Sequence, residues 1–160
     1  MASPSLGAFI RAMSGPPNPA FIEKDQRAKS LNHQGLALAR QGDHVGAVRL
    51  HRQALSLKLD IWGTTNITTA VSYNALGESL IHLGQLDEAE DTIKKALEIA
   101  TVLQSTMDQA LYRESLAMVY ETRGDIVKAG QTRRSGQPEQ YVCSYYEACL
   151  FIPLCSVCVG

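Results

Sequence analysis

The chain has 160 residues, 45% of them hydrophobic, 19% charged and 6% aromatic, with fifteen Lys and Arg against sixteen Asp and Glu. A net charge of -1 excludes the basic footprint of a nucleic-acid binder and the acid excess of a solvating tail. The longest apolar stretch, residues 148–159, is interrupted by Pro153 and Ser156 and falls short of the roughly 20 residues needed to span a bilayer.

Residues 1–24 read as a flexible leader. Ser14, Gly15, Pro16, Pro17, Asn18 and Pro19 oppose regular structure, and the stretch before Glu23 holds no acid and only Arg11 as a base, too few for a mitochondrial presequence. From about residue 25 the chain repeats itself. Gly35, Gly42, Ala47 and Ala54 return 42 residues later as Gly77, Gly84, Ala89 and Ala96. A weaker third copy follows after another 40, at Ala117, Gly124 and Ala129, with Gly136 in place of the last alanine.

Each copy predicts a helix, a tight turn and a second helix. Apolar or small residues at helical spacing mark the first helices: Leu31, Gly35 and Leu38, then Tyr73, Leu76, Gly77 and Leu80, then Leu116, Ala117 and Tyr120. Each ends at a glycine followed by a polar residue, Gly42 and Asp43, Gly84 and Gln85, Gly124 and Asp125, which supply a left-handed cap and a new helix start. Second helices are expected from about His44, Leu86 and Ile126, burying Ala47, Leu50, Ala54 and Leu57 in one case and Ala89, Ile93, Ala96, Leu97 and Ile99 in the next. Small residues facing one another let the two backbones approach closely.

This small-residue pattern resembles the tetratricopeptide repeat, and Ala54, Leu55, Ser56 and Leu57, like Ala96, Leu97, Glu98 and Ile99, resemble the ending of its second helix. The family period is 34. The excess here is expected between one second helix and the next first helix, where residues 58–70 resemble the longer kinesin-light-chain-type repeat. The resemblance implies an all-α fold, a short right-handed solenoid of about three helix-turn-helix repeats over residues 25–134, followed by a Cys-containing apolar tail at 135–160.

No catalytic constellation emerges. His33, His44, His51 and His82 read as scattered surface or groove residues, and residues 87–91, with four acids, read as a solvated helix start favoured by the helix dipole. The resemblance implies instead that the first helices line a concave groove. Positions turned from the buried face are Lys29, Asn32, Leu36 and Arg40, then Val71, Asn74, Glu78 and His82, then Leu111, Glu114, Met118 and Glu121, a surface running from basic to acidic. Glu78 and Glu114 stand where a chaperone-carboxylate clamp carries bases and amides, which speaks against that ligand. Of the two adjacent asparagines of kinesin-light-chain-type repeats, Asn74 matches the first and Ala75 replaces the second.

The four cysteines, Cys143, Cys149, Cys155 and Cys158, all lie in the last eighteen residues, a distribution suited to a reducing compartment and to a cytoplasmic protein. The spacing of Cys155 and Cys158 suits thiolate ligation, and the tail resembles the opening of a MYND-type zinc finger. A zinc site on these four, a free-thiol tail packed on the last repeat or joining two copies, and a lipid-modified tail all stay open. The expected function is a non-enzymatic adaptor or scaffold that binds a peptide or protein in the groove and needs no cofactor; the alternative is a zinc-dependent interaction module.

Overall fold

The computed structural model describes residues 18–135. They form six helices: α1 (Pro19–Arg40), α2 (His44–Trp62), α3 (Ile67–His82), α4 (Leu86–Val102), α5 (Thr106–Thr122) and α6 (Ile126–Arg134). Consecutive helices pack as antiparallel hairpins, α1 with α2, α3 with α4 and α5 with α6, and the hairpins stack into a solenoid.

The three hairpin turns share one construction. Gly42, Gly84 and Gly124 sit at φ of 86°, 74° and 85°, and the next amide, of Asp43, Gln85 or Asp125, donates to the carbonyl of Leu38, Leu80 or Tyr120. That reverse bond satisfies a carbonyl orphaned by the helix end and requires the left-handed residue before it. Asp43 and Asp125 then cap the following helix through their carboxylates, accepting from the Gly46 and Lys128 amides at 2.8 and 3.0 Å. The second helices begin at the positions the sequence marks.

Two boundaries differ from expectation. Helix α1 starts at Pro19, inside the stretch read as leader, because a proline at the first helical position lacks only an N–H that would be unpaired anyway, and the Asn18 side chain accepts from the Ala20 amide at 3.0 Å. The extra length of the repeat is mostly helical: α2 runs to Trp62, and only residues 63–66 interrupt the backbone before Asn66 caps α3. The expected linker at 58–70 is thus largely two helix ends.

The core follows the repeat. Ala47, Ala54, Ala89, Ala96, Ala117 and Ala129 are fully buried, among Leu80, Ile93, Tyr112 and Val119. A β-carbon placed on Gly77 would run into Ile93, and one on Gly35 would lie 2.7 Å from the His51 ring. Glycine is therefore required where α1 crosses α2 and where α3 crosses α4, while the third hairpin accommodates Ala117 at the same register.

Candidate functional site

The Cα traces of α1 and α3, and of α3 and α5, approach within 8 Å, whereas those of the second helices do not. The first helices accordingly form the inner side of the stack. Val71, Leu111 and Met118, all on these helices, are 42%, 53% and 36% exposed.

Four expected groove residues come together. Leu36 and Arg40 of α1 and Glu78 and His82 of α3 line an open cavity of about 190 Å³, with His44 at the start of α2 completing the wall. The His44 and His82 rings stack with centroids 4.5 Å apart and planes 15° from parallel, and His44 Nδ1 is buried without a hydrogen-bond partner. Glu78 and His82 are one helical turn apart, so the facing His44 finds both on the same side of α3.

Others are drawn away from the groove. Asn32 is buried, its side-chain oxygen 2.9 Å from His51 Nδ1. His51, expected on the surface, is fully buried beneath Gly35, and burial lowers its pKa by disfavouring the charged ring. Asn74 is also buried and donates to Glu78 at 2.7 Å. Glu78 in turn accepts from the Ser115 hydroxyl at 3.3 Å, so it joins the second repeat to the third. Lys29 is exposed and paired with Asp25 at 2.6 Å.

The acidic end of the groove is partly neutralised. Arg133 of α6 grips Glu114 with two donors at 2.8 Å each and also pairs with Glu121. Hydrogen bonding to Arg133 holds both carboxyls below the usual range and raises the guanidinium pKa. Two carboxylates against one guanidinium keep a net negative charge at this end, and Lys29 at the other is paired with Asp25, so the expected gradient from basic to acidic is weakened at both ends.

The acids at 87–91 divide. Asp87, Glu88 and Asp91 are exposed as expected, but Glu90 is buried and binds the third repeat. It accepts from the Tyr120 hydroxyl at 2.8 Å, from Lys94 at 2.7 Å and from Arg123. Burial alone would raise its pKa; hydrogen bonds from Lys94, Tyr120 and Arg123 overcome it and hold the carboxyl at about 2. Burial and the Glu90 contact push Tyr120 up to about 12. The signal missed in the sequence is register: Glu90 follows Ala89 on the stripe facing the next hairpin, and Arg123 lies just where that hairpin turns.

Among the described residues no group of three His, Cys, Asp or Glu side chains is placed to hold a metal ion, and no helix is long and apolar enough to cross a membrane. Cys143, Cys149, Cys155 and Cys158, and with them the zinc reading, lie outside the described residues.

Comparison with known proteins gives the same architecture. Two family models, both described as tetratricopeptide repeat, match residues 27–58 and 68–131, together more than half of the chain, and leave a gap around the break at 63–66. The Drosophila melanogaster protein named tetratricopeptide repeat protein 19 homolog, mitochondrial, is 24% identical over 93 residues, which are 58% of this chain and 25% of that protein. The chain thus spans about a quarter of that relative's length. Among solved structures, the TPR domain of Arabidopsis FLU superposes with a TM-score of 0.63 at 23% identity, covering 71% of this chain and 93% of that domain. BtubC (BKLC) from P. vanneervenii gives 0.64 at 20% identity, covering 80% of this chain and 50% of the other. With its 42-residue register, its three identical turns and these matches, the chain belongs to the tetratricopeptide repeat family.

Proposed function

We propose that this protein is an adaptor, without chemistry of its own, that holds a peptide or protein segment against the inner face of α1, α3 and α5. The observation carrying this reading is the cavity where Leu36 and Arg40 meet Glu78 and His82 across two repeats. A partner side chain seated there is offered an apolar wall, a cation, a carboxylate already holding Asn74 and Ser115, and two imidazoles, while Val71, Leu111 and Met118 continue the apolar track. With Glu114 and Glu121 paired to Arg133, the site favours a segment with an acidic residue near Arg40 and apolar residues beyond. The proposed compartment is the cytoplasm, on the confinement of cysteine to the last eighteen residues. A tagged chain that co-localised with mitochondria, the compartment in the Drosophila relative's name, would overturn that part.

The test is affinity capture with Arg40→Glu combined with Leu111→Asp, set beside Glu88→Arg combined with Glu98→Arg on the second helices. Partners lost from the first variant and kept by the second support the groove. The opposite pattern assigns binding to the outer face and removes the proposal.

A further inference from the structure

A second hollow, of about 310 Å³, shares no lining residue with the cavity at Leu36. Thr64 and Thr65, in the break between α2 and α3, form one side of it, and Tyr73 of α3 forms another. Helix α4 supplies Lys95 and Glu98 and closes the hollow with two aliphatic side chains, the buried Ile99 and the exposed Val102. The repeat itself makes this shape. In the first repeat a cavity of about 300 Å³ is lined by Leu31, Gln53, Ser56 and Leu57, with Arg27, and those four positions return 42 residues later as Tyr73, Lys95, Glu98 and Ile99. The shape alone therefore carries no function, whereas the exchange of residues does. Where the first repeat has two aliphatic and two neutral polar side chains, the second has a phenol, an ammonium, a carboxylate and one aliphatic chain.

The polar groups around this hollow are unspent. Lys95 and Glu98 form no ion pair with each other or with another described residue, whereas charges nearby on α4 do: Glu88 holds Arg52, and Glu90 holds Lys94 and Arg123. Among the described residues the hydroxyls of Thr64 and Thr65 also make no hydrogen bond, while those of Thr68 and Thr69 just beyond donate to Asn66 and to the Gly63 carbonyl. The Lys95 ammonium stands 5.9 Å from the centroid of the Tyr73 ring, at the limit of a cation–π contact. Polar groups converging on an apolar wall are the ordinary make-up of a small-molecule site, and this volume sits at the low end, roughly 300 Å³, of such sites. Charges of opposite sign three residues apart on one helix are neighbours, so a ligand that satisfies both carries an anion and a cation close together on a small apolar body. We propose that the hollow binds a free α-amino acid with an aliphatic side chain. Its carboxylate meets Lys95 and the threonine hydroxyls, its ammonium meets Glu98, and its side chain lies on Ile99 and Val102.

The test is NMR titration of the full chain with leucine, its deaminated acid, its decarboxylated amine, and the acetylated amide that presents leucine as a peptide would. Leucine should shift the amide signals of Thr65, Ile99 and Val102 saturably. The acid and the amine each forgo one ion pair and should bind about fivefold more weakly; the acetylated amide has neither charge and should not saturate. Lys95→Met should bring leucine down to the affinity of the amine without altering the amine's own, and Glu98→Gln should bring it down to that of the acid without altering the acid's. Both residues are exposed, and unchanged circular dichroism shows that the repeats still fold. The absence of a saturable shift with leucine, up to its solubility, overturns the proposal. So does an acid, an amine or an acetylated amide that binds as tightly as leucine, and so does leucine binding that survives the two substitutions.

Discussion

The substitution Gly35→Ala tests the close crossing of α1 on α2. An added β-carbon would lie 2.7 Å from His51 Cε1 and 3.0 Å from each ring nitrogen, closer than van der Waals contact allows. The ring has nowhere to go, being fully buried and held by Asn32 at 2.9 Å. Overpacking of this kind costs about 1–3 kcal/mol, and displacing the ring from Asn32 costs about 1 kcal/mol more. Alanine's better helix propensity returns about 1 kcal/mol, leaving a net loss of about 1–3 kcal/mol. Gly130→Ala is the matched control, since its β-carbon meets nothing nearer than an Arg134 nitrogen at 3.8 Å; there the propensity gain of about 0.5–1 kcal/mol stands alone. Urea unfolding followed by circular dichroism should therefore separate the two midpoints by roughly 1 M or more. His51→Ala should abolish the penalty of Gly35→Ala when the two are combined. If Gly35→Ala raises the midpoint as Gly130→Ala does, α1 and α2 do not cross this closely and the repeat register fails.

Three further outcomes follow from the charged and titrating groups. Glu90, held at about 2 in the fold, contributes stability that is fully present above its ordinary value of 4.5 and is lost as pH falls towards 2; Glu90→Gln should flatten the stability profile across that window. His51, whose pKa burial lowers, binds a proton more readily unfolded than folded, so stability present above pH 6.5 declines as pH drops below it, and His51→Gln should remove that decline. Arg133→Ala should leave the unfolding midpoint nearly unchanged because the pair is exposed, while the Glu114 and Glu121 carboxyls, followed by NMR titration, rise towards ordinary values.

The repeat could be read from the sequence because close helix crossings leave a small residue at a fixed register, and Gly35, Gly77 and Ala117 do so. Turns were legible for the same reason, since only glycine adopts the left-handed backbone of Gly42, Gly84 and Gly124 without cost. The helix lengths were not, because nothing in residues 58–62 marks them as helix until Trp62 is seen against Phe21. Among the groove residues, helical periodicity set Leu36, Arg40, Glu78 and His82 on the side of their helices away from the partner helix but gave no account of the cavity they share or of pairing. Whether Glu114 presents charge depends on Arg133, nineteen residues away on another helix, and whether Asn32 points outward depends on the imidazole beneath Gly35. Such facts belong to the contact between helices and have no local pattern.

The two ends of the array are held with unequal force. At the beginning, α1 extends 22 residues and is clasped by the end of α2: the Phe21 and Trp62 rings meet edge to face at 4.9 Å, the indole N–H donates to Asp25, and Lys24 reaches Asp60. At the other end α6 has nine residues, of which only Ala129 is buried. In a stack where each repeat is steadied by its neighbours, that inequality gives unfolding a direction. Amide exchange should be slowest near the α2 and α3 backbones and quicken step by step towards α6, so that the chain opens as a zip does, from one end, and closes again onto a template that has stayed folded.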